Sequence, residues 1–520
     1  MLTPVRVRSP RRAVLAACAA LITVPVAAGC GESGSSGTGA DPATLAPSTA
    51  PLYGEAVVRP EGEQRDQLEA LLKKVMRTDD PFQKIEDAFD KSAAEDKVTY
   101  EKDIKPWLGQ RVGAFLSGVS QSGSPDGAAI VATNDPDKAL TAFKKGEKVT
   151  GKRSYKGVDY ELIESGAVIA KVDDFAIIGT EGGVKKVVDV SKDSGSALSE
   201  NDDFDKAKGE AGEDGLGFAY VDPQRLVDVA ASSGAVDRSA LTGFRQVINQ
   251  IGRTIGISFG AEDKGFALTI AGIGAQKPKG STGDAAGAVA AAPDDAWAAI
   301  GLGNVGEQAA KGVDQLNQIA GLTGVDIEEQ LKKQSGIDLR DDLLSWMGDA
   351  VIWVRGQSVG DIGGALVVES KDEAKSRAAI AKIQRFANSQ NIPTKPLSGV
   401  QGVDAGFVVD TGSIPVAVAA AGDKFVIAAG QSALEAALKP SGKLSDSATY
   451  KSAVDSLGDG IKPSVYIDVA RALQLVEGVG AADDPSYRQA QPYLRAFSTI
   501  VAGGKHEGDV GRARLVIGVR

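Results

Sequence analysis

Two glycine patterns and a lone histidine are the first places where this sequence could carry chemistry. Gly301-Leu302-Gly303-Asn304-Val305-Gly306 is a GxGxxG run behind the apolar stretch "AWAAI". On a strand-turn-helix such glycines let a pyrophosphate approach the N–H groups of a helix N-terminus. Asp326 follows at about the 20-residue spacing of a ribose-binding acid, but no clear second strand delivers it. Gly256-Ile257-Ser258-Phe259-Gly260 fits the GxSxG of a hydrolase elbow, which needs a strand, a sharp turn and a helix. The surroundings instead predict a hairpin, with Ser258 an outward polar residue of its first strand. The only histidine, His506, falls in the turn of another predicted hairpin, so a Ser-His pair would have to form across domains.

Other candidates fail on their missing partners. Gly146 to Lys152, "GEKVTGK", approaches a phosphate loop, yet Arg153 stands where Ser or Thr must hold magnesium. The surrounding "KKGEKVTGKRSYKG" is a basic patch, expected as a solvated helix end and loop, with a contact to a polyanion as the sharper reading. The acidic "ENDDFD" from Glu200 lacks a calcium-loop spacing and reads as a helix N-terminus with acids in its first turn. One histidine and two cysteines exclude the usual zinc sets. No catalytic, cofactor-binding or metal-binding residue is therefore nominated.

Cys30 has a different use. Residues 1–29 carry Arg6, Arg8, Arg11 and Arg12 and no acid, followed by an uncharged stretch from Ala13 to Ala28, which is the profile of a signal peptide. The stretch is short for a membrane span, and Pro25 interrupts it. It ends in Ala27-Ala28-Gly29-Cys30, which resembles a bacterial lipobox and makes Cys30 the expected lipid attachment residue. Arg11-Arg12 is compatible with twin-arginine export as well as the general secretory route. Loss of this segment takes the net charge from −11 to −15 and removes Cys18, leaving one thiol and no internal disulfide. So acidic a chain is not expected to bind nucleic acid or to adhere to anionic lipid by charge. The expected location is the outer face of the bacterial cytoplasmic membrane, reached through the acylated N-terminus.

Beyond Cys30 the elements come twice. Gly31 to about Ala50 is mostly Gly, Ser, Thr, Ala and Pro with almost no large apolar residue, expected as a flexible tether. "DIKPWLGQRVGAFL" from Asp103 then matches "DDLLSWMGDAVIWV" from Asp341, placing Trp107 over Trp346, and the burial of both rings is expected. "VDDFAIIGTEGGVKKVVD" at Val172 recurs as "AGDKFVIAAGQSALEAAL" at Ala421, and "GFAYVDPQRLVD" at Gly217 as "PSVYIDVARALQ" at Pro463. Asp135 and Asp372 are the expected helix caps. The reading is a tandem duplication: domain one over 51–273, a Gly/Ala/Pro linker over 274–293 and domain two over 294–520. Each is expected as an α+β domain, a largely antiparallel sheet with helices on one face, and the sequence allows the copies to share one sheet.

The export signal, the "LAPSTAPLYGEAVVRPEGEQRDQLEALLKK" opening from Leu45, the W-L-G segment and the "AYVD" segment together resemble a bacterial envelope family known as domain of unknown function 3352. The resemblance implies a cell-envelope protein and transfers no site. The function expected is non-catalytic binding of an apolar ligand or an envelope component. A secreted hydrolase using carboxylates and a structural spacer are the alternatives.

Overall fold

A computed structural model describes residues 39–520, apart from 95–97, 120–123, 214, 233–247, 249–250, 277–282, 321–326, 357, 359, 411, 413 and 479. Cys30 and Asp326 lie outside the described residues. The described residues form two compact units: unit 1 takes those from 39 to 276 with 505–514 and 519, and unit 2 those from 283 to 504 with 515–518 and 520. The tip of the last hairpin thus groups with unit 1. Lys206 meets Asp509 there at 3.0 Å, and Arg512 pairs with Glu210.

In unit 1 the strands are β1 Leu52–Val57, β2 Leu108–Val119, β3 Pro125–Thr133, β4 Val149–Tyr155, β5 Val158–Ile163, β6 Val168–Val172, β7 Phe175–Gly179, β8 Gly217–Val221, β9 Thr254–Glu262 and β10 Gly265–Ile273. They pair antiparallel in the order β4-β5-β6-β7-β3-β2-β1-β8-β9-β10. The later strands are β11 Ala296–Leu302, β12 Met347–Arg355, β13 Gly363–Ser370, β14 Thr394–Pro396, β15 Ala405–Val409, β16 Val416–Ala421, β17 Lys424–Ala429, β18 Lys462–Asp468, β19 Phe497–Glu507 and β20 Val510–Val519. Those of unit 2 run β14-β15-β16-β17-β13-β12-β11-β18-β19, again antiparallel, and β20 is the hairpin partner of β19. The order is the same in both units. Equivalent positions therefore follow from register: Tyr53 faces Tyr220 and Phe115, whereas Ala299 faces Tyr466 and Trp353.

The α+β class holds, but helices pack on both faces. Ile177 and Ile178, neighbours on β7, enter different clusters because successive strand residues point to opposite sides. Ile177 packs with Val184, Val187 and Val188 of the helix Glu181–Ser191, and Ile178 with Leu140 and Phe143 of the helix Pro136–Phe143. Both helices are fixed by caps: Thr180 accepts from Gly183 N–H, and Asp135 from Lys138 N–H. Asp372 caps the helix Glu373–Ser389 in the same way.

Two expectations about small-residue stretches are corrected. Asp41 to Ala50 is not a free tether. Ala43, Leu45, Ala46 and Ala50 are buried, and the segment is strapped down by Leu198 N–H to Ala46 O at 2.7 Å and Ser48 N–H to Ser196 O at 2.9 Å. In unit 2 the described part of the expected linker forms the helix Ala285–Ala290, with Val289 and Ala292 buried and Leu444 N–H bonded to Ala292 O at 2.7 Å. The straps lie so close to the sheet that size decides composition. A Cβ on Gly113 would fall 2.6 Å from Pro42 Cβ, and one on Gly301 would collide with Ala285 O.

Candidate functional site

A cleft of about 300 Å³ opens in unit 2 beside the strap. Its floor is Ala350, Val351 and Trp353 of β12 with Val367 of β13; its walls are the Ala285–Ala290 strap helix and the end of the helix Gln431–Leu438, through Ala436 and Ala437. Apolar floors of this size supply most of the free energy by which small molecules bind. Asp284, Asp349, Glu369 and Asp423 edge it, together with Lys424. Asp349 is committed internally, accepting from Asn304 N–H and Asp284 N–H, each at 2.7 Å. Lys424 Nζ donates to Ala437 O and Leu438 O, at 3.0 and 3.2 Å, and so neutralises the negative end of that helix.

Comparison of corresponding positions explains why the cleft exists. In unit 1, Ala132 faces Phe175; at the same register in unit 2, Glu369 faces Lys424. Val187 and Ala437 hold the same place counted from the caps Thr180 and Gly430. Leu45 and Ala291 each precede the strap alanine whose carbonyl is tied to the body, Ala46 or Ala292. Leu45, Phe175 and Val187 are buried in unit 1 as part of one core cluster. Their replacement by Ala291, Lys424 and Ala437 removes the side chains that fill this space. Unit 1 has a cleft of about 570 Å³ elsewhere, but Arg59, Gln64, Gln67, Gln110, Arg111 and Glu213 make it polar.

The motifs picked out by sequence resolve into architecture. Gly301 lies in β11 and Gly306 in the helix Val305–Ala320, where a Cβ would collide with Leu344 O. Asn304 turns the chain at φ 45°, and its N–H points at the Asp349 carboxylate, in the place where a phosphate would have to sit. Ser258 is inside β9, opposite Thr269, and the strand runs on past it to a hairpin turn into β10 and not to a helix; it is buried, not outward as alternation suggested. His506 belongs to β19 and not to the turn.

"GEKVTGKR" runs into strand β4, where a loop was expected, and four cations in and beside it are paired: Lys144 and Lys152 to Glu161 at 2.8 Å each, Arg153 to Glu181 at 2.7 Å and Lys156 to Asp189 at 2.6 Å. Lys185, Tyr160 and Arg153 around Glu181 hold its carboxyl down at about 2. Asn201 caps the helix Asp202–Ala211, with three aspartates in its first turn, as expected of "ENDDFD". Trp107 and Trp346 are buried, each donating its indole N–H to the carbonyl four residues back, Asp103 O or Asp342 O, across a π-helical turn. No group of three His, Cys, Asp or Glu placed to hold a metal occurs among the described residues, and no described helix is long and apolar enough to cross a membrane.

The profile of the family described as "Protein of unknown function (DUF3352)" matches residues 13–487. The chain belongs to the DUF3352 family. No curated protein matches this DUF3352 chain. Among solved structures it is similar to TP0453 in crystal forms IV, III and I. Identities are 10%, 11% and 8%, covering 44%, 47% and 47% of this chain and 79%, 83% and 82% of that one, with a TM-score of 0.25 in each case.

For this DUF3352 chain, motif searching missed every residue of the cleft. Asp284, Asp349, Glu369, Asp423 and Lys424 form no motif. The signal that could have found them was a difference between otherwise matched phrases: "DDFA" from Asp173 against "GDKF" from Gly422, with Phe175 over Lys424.

Proposed function

We propose that the protein is a lipid-anchored envelope component, held by an acyl chain on Cys30 at the outer face of the bacterial cytoplasmic membrane, that binds a small ligand in the unit 2 cleft without transforming it. The two units are then duplicated copies, one closed and one open. The observation that carries this is the apolar-floored cleft, present where Leu45, Phe175 and Val187 of unit 1 give way to smaller or polar residues. The Ala27-Ala28-Gly29-Cys30 sequence supports the anchoring.

Native mass spectrometry of protein purified from membranes should reveal a small bound molecule, lost on denaturation and recovered unchanged. Recovery of a cleaved product would favour the hydrolase instead, and an empty cleft in every preparation would favour the spacer. For the anchor, Cys30→Ala should move the protein from the membrane fraction to the soluble one; unchanged retention refutes lipidation at this residue.

A further inference from the structure

We infer that the unit 2 cleft is specific for a small organic cation, a ligand with an apolar body and a quaternary or primary ammonium. This rests on the binding reading above and names its chemistry. The cleft edge carries four carboxylates and one ammonium, and that ammonium is already engaged by Ala437 O and Leu438 O. Glu369 and Asp423 are exposed at the edge. Part of this acidity is particular to unit 2: register places Glu369 where unit 1 has Ala132, whereas Asp423 has Asp174 as its counterpart. The apolar floor includes Trp353, a ring type whose face attracts ammonium groups. An anion would meet repulsion along this edge, and a neutral apolar molecule would leave the carboxylates unused. The volume of about 300 Å³ admits a single ring with its charged head.

The test uses the mature full-length chain and two probes of one shape, benzyltrimethylammonium and its uncharged isostere neopentylbenzene, titrated with saturation-transfer NMR as the readout. The cation should bind at least about tenfold tighter than the isostere, and added salt should weaken only the cation. Glu369→Gln with Asp423→Asn, which keeps shape and removes charge, should bring the cation down to the isostere's affinity. Ala291→Leu with Ala437→Val, which installs the side chains found in unit 1, should abolish binding of both. Equal affinity of the two probes for the unmodified chain overturns the cation assignment and leaves the cleft reading standing. Absence of binding by either probe, or undiminished binding by the filled double variant when it is folded, overturns both. If the filled variant fails to fold, the charge variant decides the cation assignment alone: a cation affinity that it leaves unchanged overturns it.

Discussion

Single residues show how charge is used for structure away from the cleft. Glu181 gathers Lys185, Arg153 and the Tyr160 hydroxyl, whose hydrogen bonds and positive charge favour the ionised carboxylate and hold its pKa at about 2 against an ordinary 4.5. A carboxyl depressed in the folded state stabilises it above the unfolded value and loses that contribution as pH falls through the folded one. Glu181→Gln should therefore lower the melting temperature at pH 7, and the gap to the unmodified protein should close between about pH 4.5 and 2. A gap that persists at pH 2 would mean the side chain acts through packing and not through charge. Glu477, held at about 2 by Arg495, Gln491 and Tyr487, offers the same measurement in unit 2.

Among the elements, the straps decide most. Leu45 is buried among Ala43, Ala46 and the sheet residues Phe115 and Ile130. Leu45→Ala should cost about 2–5 kcal/mol by urea denaturation, the usual range for a buried leucine. A chain starting at Pro51 should lose hydrogen-exchange protection in β1, since its strap is gone; full protection would show the segment to be dispensable. Much of the rest was legible in sequence. Hairpin β9-β10, the Asp135 and Asp372 caps and the buried Trp107 and Trp346 all follow from alternation, capping chemistry or ring size. The straps were not, because Ala, Pro, Ser and Gly mark flexible linkers and tight contacts alike, and composition does not reveal which. Helices on both faces were missed for a related reason: β3 and β7 are apolar on successive residues, "AAIVA" and "FAII", a pattern of strands covered on two sides. The cleft escaped because it is made by what is absent, three filled positions in one unit left small or polar in the other.

Over the whole molecule, an acidic chain carries a basic run in which Lys144, Lys152, Arg153 and Lys156 are paired with Glu161, Glu181 and Asp189. The protein should pass through a heparin column at about 0.1 M salt, where screening reaches only about 10 Å. Retention would show that the Lys144–Lys156 face outweighs its own partners. The strap has a further consequence, one of distance. On the proposed anchoring at Cys30, the ten residues 31–40 join it to Asp41 of the folded body, and those eleven Cα–Cα steps reach at most about 40 Å when drawn straight. Had the free segment run to Ala50, the limit would have been about 70 Å. With the proposed anchor, the strap shortens the leash by nearly half, and would confine the body of the protein to the layer next to the bilayer and its cleft to whatever molecules pass through that layer.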